Sequence, residues 1–252
     1  MSSMAKDNHH TFSPEMRRGL YEAIFRRRDM REFRPDAVPD DVLARVLIAA
    51  HHAASVGFTQ PWNFIIVRDR ERRREVKRVF EEERAKNSQQ FEGARREKFL
   101  SLKLEGILEA PLNLIVTCEP ERFGPGVLGK VSLRDVEVYS TCLAVENLWL
   151  AARAEGLGVG WVSIVRNEDL SRIFSIPANV IPLAYLCIGY VPDFPARPIL
   201  ESAQWAKRLP PRSLLHFDSW NDGAAAGNKL AAAMESAQIW GEIFPDDVPD
   251  GR

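Results

Sequence analysis

Residues 132 to 155 read as one long helix that is apolar nearly all round, with Val136, Tyr139, Cys142, Leu143, Val145, Leu148, Trp149 and Ala152 spread over its sides. Such a helix has no face to give to water, so it must lie at the centre of a domain or between two subunits. Gly156 supplies a left-handed stop, and Gly158-Val-Gly-Trp-Val-Ser-Ile-Val165 follows as a glycine-punctuated strand. Any fold for this chain has to wrap other elements around that helix-strand pair.

The other elements follow from caps and periodicity. Residues 1–12 are polar and expected to be disordered, then Ser13-Pro14-Glu15 opens a helix that runs to about Arg27. Pro39-Asp-Asp-Val opens a second, ending near Ala54, with Val42, Leu43, Val46, Leu47 and Ala50 on one face. Strands are expected at Asn63 to Arg68, Leu112 to Cys118 and Ile181 to Val191, and a short helix from Asn167 to Phe174. Residues 69–110 are charge-rich and helical, too polar for core, and read either as a mobile flap with a few apolar anchors or as an ordinary surface helix pair. A proline-rich arm covers residues 192–212, and an alanine-rich helix from about Asn228 to Trp240 precedes an acidic tail. No linker divides the middle, so one domain over residues 13–222 with a peripheral extension over 223–252 is expected, of α/β or α+β class.

The 252 residues are 45% apolar, ample for a core, and the formal net charge of -1 argues against nucleic acid or a membrane surface as partner. No apolar run reaches membrane-spanning length and the N-terminus lacks a signal-peptide core, so a cytoplasmic protein is expected. Cys118, Cys142 and Cys187 are far apart, without metal-ligand spacing, and are expected to be reduced core residues. No metal site is expected.

Arg26, Arg27 and Arg28, followed by Asp29 and Arg31, form a local cluster of planar, permanently charged donors suited to a phosphate and a second electron-rich group. A carboxylate there would repel a phosphate. Asp29 therefore either neutralises the arginines or performs chemistry beside the anion; the residues alone also admit a solvated basic face with Asp29 as a helix cap. A second motif, Ser55-Val-Gly-Phe-Thr-Gln-Pro-Trp62, follows the next helix, and its Gln-Pro-Trp alone is equally a turn anchored by a core tryptophan. His51-His52 lacks a third ligand and reads as structural.

Together these motifs resemble the nitroreductase-like FMN proteins over roughly Pro14 to Pro211, and within them the group that breaks reduced FMN with dioxygen into dimethylbenzimidazole and erythrose 4-phosphate. The resemblance implies an α+β fold in three layers, α/β/α, with a central mixed sheet, a helical flap at about 69–110 and a C-terminal arm. It implies a homodimer, with reduced FMN and dioxygen as substrates and a separate flavin reductase as supplier. Arg27 and Arg28 would bind the FMN phosphate and Arg31 would face flavin N1 and O2, with Met30, Ser55 and Leu104 as further contacts. Arg208, beside Lys207, would return to the phosphate, or the two form a solvated pair.

Two departures from the wider family narrow the likeness. Asp29 stands where ordinary relatives carry a phosphate-binding serine, and Phe58 where they carry asparagine. A base near the ribityl chain is what removal of hydrogen from C1′ requires, so the resemblance makes Asp29 the catalytic candidate. Ser163 would meet the flavin at N5 or C4a. The competing readings are an NAD(P)H-dependent nitroreductase or flavin reductase, which needs an open flavin face that a flap would cover, and a non-catalytic FMN-binding protein, in which Asp29 is a needless electrostatic cost.

Overall fold

Leu112–Cys118 is buried along its whole length and becomes a central strand, β2, flanked antiparallel by β1 (Trp62–Val67) and β4 (Ile181–Tyr190). β3 (Leu157–Val162) pairs with β4, also antiparallel, giving the order β1-β2-β4-β3. Strand side chains alternate between faces, and both faces here are apolar. Leu112, Leu114, Val116, Ala184, Leu186 and Ile188 point to one core, whereas Ile115, Tyr185 and Cys187 point to the other. The pairing is antiparallel among the described strands; a parallel partner is added at the β3 edge by a bridge between Asp29 and Val159.

The computed structural model describes residues 10–220, 228–236 and 241. The first core is closed by α2 (Asp40–His51) and α5 (Val136–Ala154), the second by α3 (Arg70–Ser88) and α6 (Asn167–Phe174), so the layers are α/β/α. α4 (Gly93–Ser101) follows α3, with Phe99 buried against Phe91. These elements form one unit, Arg27–Ile199. The second unit comes from the two ends of the chain and holds α1 (Pro14–Arg26), which buries none of its residues. The two units divide at 26/27 and 199/200. α7 (Ile199–Ser202) is a single turn, and α8 (Lys229–Met234) is capped by Asn228, whose side chain accepts from the Leu230 amide at 2.9 Å. The helix ends at Met234 with Glu235 as its C-cap, short of the expected Trp240; residues 237–240, the acidic tail from 242 and residues 1–9 lie outside the described residues.

Three expectations need correction. The charge-rich segment is helical, but α3 is core: Val76, Val79 and Phe80 repeat at helical spacing and are at most 2% exposed, and Arg73 is buried beside them, donating to Ala110 O at 2.5 Å, while most of the other charged residues occupy the outer side. Of the two placements expected for the long helix, the centre of one chain does not hold, since Tyr139, Cys142 and Leu143 stand exposed on its outer side. Cys142 is accordingly a surface thiol rather than a core residue, because its position on α5 faces away from the sheet that covers Ala144, Val145 and Leu148.

Candidate functional site

The arginine segment is held in the fold by backbone contacts before any side chain acts. Met30 N donates to Val159 O at 2.9 Å, and Arg34 N donates to Tyr190 O at 2.8 Å, so residues 29–34 run along β3 and the end of β4. Glycines make the approach possible. A Cβ on Gly160 would come within 2.0 Å of Met30 O and 2.6 Å of Arg31 Nη1, and one on Gly158 within 2.9 Å of the Met30 side chain. Gly106 meets Arg31 O and the Phe33 ring in the same way. Met30 is thereby buried and acts as an anchor.

On this frame the arginines differ in what they do. Arg28 is buried and its guanidinium donates to the carbonyls of Pro195 (2.9 Å), Ala196 and Arg27 (2.8 Å). Its main-chain carbonyl accepts from the Trp149 indole at 3.3 Å. The carbonyls of Pro195, Ala196 and Arg27 engage three of the five N–H donors of its guanidinium. Arg27 instead lies over the Trp149 ring, 4.8 Å from the centroid, with Glu146 at 3.9 Å. Its Nε is buried without a hydrogen-bond partner. That Nε faces Glu146, while the side chain as a whole keeps 30% exposure, so the stacked guanidinium fits an incoming phosphate oxygen through its outer Nη atoms.

Asp29 and Arg31 form a two-point pair: Arg31 Nη1 donates to Asp29 Oδ1 at 2.9 Å and Nη2 to Oδ2. Arg31 Nη1 also donates to Met30 O at 3.2 Å, and Nη2 to Trp161 O at 2.9 Å. The Trp161 amide donates to Asp29 Oδ1 at 2.9 Å. Both Nη atoms of Arg31 are thus committed to protein acceptors, an engagement different from the flavin N1 and O2 contact that the resemblance implies. Partial desolvation by the surrounding protein raises the Asp29 carboxyl from its ordinary value, although 45% of the side chain stays exposed, and outweighs the lowering by Arg31, the Trp161 amide and Arg27. Ser163, exposed, follows the last residue of β3, two positions beyond Trp161 and on the same side of the strand by alternation.

The remaining expected residues are more dispersed. Ser55 Oγ accepts from Gln60 N at 3.1 Å and so closes its own loop, which is tied to α5 where Val56 N donates to Ser140 Oγ at 3.1 Å. Ser140 and Trp149, the α5 residues touched by Val56 and by Arg27, are nine residues apart, roughly 13 Å along the helix axis. Leu104 packs half-buried against the second core, two residues before Gly106. Arg208 is exposed and belongs to the unit formed by the chain ends, whereas Asp29 belongs to the other unit. His51 is structural as expected, its Nδ1 accepting from the buried Trp62 indole at 3.2 Å. A hollow of about 580 Å³ beside it is lined by Ile48, Gln60, Trp62 and Arg122, away from the arginine segment. Sequence reasoning missed Trp149 and the Trp161 amide; the glycines at 158 and 160 were the available signal that another backbone crosses β3.

The nitroreductase family pattern matches residues 24–190. The 5,6-dimethylbenzimidazole synthase of Rhodospirillum rubrum is 40% identical over 79% of this chain and 94% of its own length, and that of Rhodobacter capsulatus is 38% identical over 79% and 96%. Among solved structures, oxidized iodotyrosine deiodinase bound to FMN and 3-iodo-L-tyrosine superposes with a TM-score of 0.59 at 25% identity, covering 70% of this chain and 91% of that one. With its three-layer fold and its Asp29-bearing arginine segment, the chain belongs to the nitroreductase family and, within it, to the 5,6-dimethylbenzimidazole synthases.

Proposed function

We propose that this chain is an oxidoreductase that converts reduced FMN, with dioxygen, into 5,6-dimethylbenzimidazole and erythrose 4-phosphate. The observation that carries the reading is the carboxylate of Asp29, set two residues after the stacked guanidinium of Arg27, in a chain 34–40% identical to three synthases of that name. Bound reduced FMN supplies the electrons for dioxygen and the carbon skeleton of the product. Arg27 holds the phosphate through charge-assisted hydrogen bonds. Asp29 takes the proton from ribityl C1′; its raised pKa makes it a stronger base than an ordinary carboxylate. Ser163, at the end of the same strand, offers its hydroxyl to the N5 and C4a edge.

The enzyme acts as a homodimer with FMN at the subunit interface and receives reduced FMN from a separate flavin reductase in the cytoplasm. In support, α5 leaves Tyr139 (52% exposed) and Leu143 (50%) uncovered, and α1 leaves Met16 and Leu20 uncovered. No described helix is long and apolar enough to cross a membrane. The flap argument against a dinucleotide partner is weaker than expected, because α3 is core and leaves the part after it to cover a flavin. Aerobic incubation with chemically reduced FMN, followed by mass analysis for dimethylbenzimidazole, tests the reading. Rapid NADPH-dependent bleaching of bound FMN without that product would instead assign a nitroreductase or flavin reductase, and FMN binding without either reaction a non-catalytic carrier.

A further inference from the structure

An ionised carboxylate offers about four acceptor positions, two on each oxygen. On Asp29, Oδ1 takes two donors, Arg31 Nη1 and the Trp161 amide, both at 2.9 Å. Oδ2 takes Arg31 Nη2, so one position on Oδ2 is left. The side chain of Arg31 is 10% exposed and that of Asp29 is 45% exposed, so the guanidinium lies beneath and the carboxylate above it, toward the open side. Arg31 is itself pinned by Met30 O and Trp161 O. Gly160 confirms that the strand is shaped around it, since a methyl there would come within 2.6 Å of Nη1.

We propose that Arg31 is a positioning residue for Asp29: its planar fork fixes both carboxylate oxygens against β3 and leaves a single acceptor position, on Oδ2, presented to the substrate. The inference rests on the reading of Asp29 as the proton acceptor. A fork is required, because a lysine offers one point of attachment and lets the carboxylate rotate. The groups facing Asp29 are Arg27 and Arg31 from its own segment, the Trp161 amide from β3 and Cys187 from β4, whose thiol burial pushes up to about 12 and keeps neutral. Arg31 and Arg27 both hold the carboxyl down, so loss of Arg31 moves its titration to higher pH.

The test compares Arg31→Lys and Arg31→Gln with the unmodified full chain in two measurements. In the flavin-free protein, carbon-13 NMR of labelled aspartate follows the Asp29 carboxyl, assigned through Asp29→Asn, and its midpoint should move upward in Arg31→Gln and less in Arg31→Lys. In turnover with reduced FMN, kcat should fall roughly 10-fold in Arg31→Lys and further in Arg31→Gln, with KM within about 3-fold and the acid limb displaced to higher pH. Arg31→Lys keeps the charge and most of the buried stem, so the comparison stands if Arg31→Gln does not fold. An unchanged NMR midpoint in Arg31→Lys or Arg31→Gln overturns the pairing, and a loss confined to KM overturns positioning in favour of direct substrate contact. Full activity in Asp29→Asn, with the NMR shift in Arg31→Gln intact, overturns instead the assignment of Asp29 as base.

Discussion

Arg27 lies over the ring of Trp149, 4.8 Å from its centroid, and keeps a buried Nε without a partner. The neighbouring Arg28 spends its guanidinium on the carbonyls of Pro195 and Ala196. Loss of phosphate contacts from Arg27→Ala should weaken FMN binding by about 1.5–3 kcal/mol, the usual weight of a charge-assisted hydrogen bond. Titration of the Trp149 and Trp161 fluorescence reads this directly. Arg28→Ala should act on folding stability, and the reverse pattern would give the phosphate to Arg28.

Asp29→Asn should lower dimethylbenzimidazole formation by roughly 10² while reduced FMN still binds and reoxidises, because shape is kept and the base is lost. A base works ionised, so the rate rises with pH through the pKa of Asp29. Since burial raises that value, the acid limb should lie above the ordinary carboxylate range. Ser163→Ala should change flavin reoxidation kinetics and product yield together. Unaltered yield in both variants across the pH range would remove these two residues from the chemistry.

The outer side of α5 gives a test of assembly. Leu143→Glu puts a charge beside Tyr139 on the face proposed to meet a second subunit, so sedimentation should show a dimer for the unmodified chain and a monomer for the variant. The exposed thiol of Cys142 reports on the same face, being slow toward a thiol reagent in the dimer and faster in the variant. Cys118 and Cys187, both buried, should react only on unfolding. Equal reactivity of Cys142 in the two proteins would mean that the face is not covered.

Phe80, fully buried on α3, decides whether residues 69–110 are a detachable cover. Phe80→Ala should cost about 3–5 kcal/mol in urea denaturation, the range for emptying an aromatic position in a core. A loss within the ±0.5 kcal/mol or so typical of surface changes would mean that α3 is peripheral after all.

The elements bounded by strong local signals were legible in the sequence. β2 coincides with the expected Leu112 to Cys118, and α6 with the expected Asn167 to Phe174. α3 was misjudged because charged residues outnumber its apolar ones; the spacing of Val76, Val79 and Phe80 was present, but one apolar stripe is enough for a helix that covers a sheet on one side. Of the proposed site, Arg27 and Asp29 were readable in the sequence as residue types in a pattern, and Ser163 only through the resemblance. Their geometry was not, since the stacking on Trp149, the clamp from Arg31 and the diversion of Arg28 depend on residues more than 100 positions away or on the approach of another backbone. Exposure of Cys142 likewise depends on which side of α5 the sheet takes.

The close seating of Met30 against Gly158 and Gly160 ties the fate of the site to that of the sheet. The Met30 amide is hydrogen-bonded to Val159 O on a strand whose Leu157, Val159 and Val162 are at most 1% exposed. Its deuterium exchange should therefore be as slow as that of the β3 and β4 amides, proceeding through sub-global opening rather than through loop fluctuation. Asp29 is then carried on a segment that melts with the core, so a change that loosens β3 at a distance would be felt as lost turnover before any loss of secondary structure could be seen.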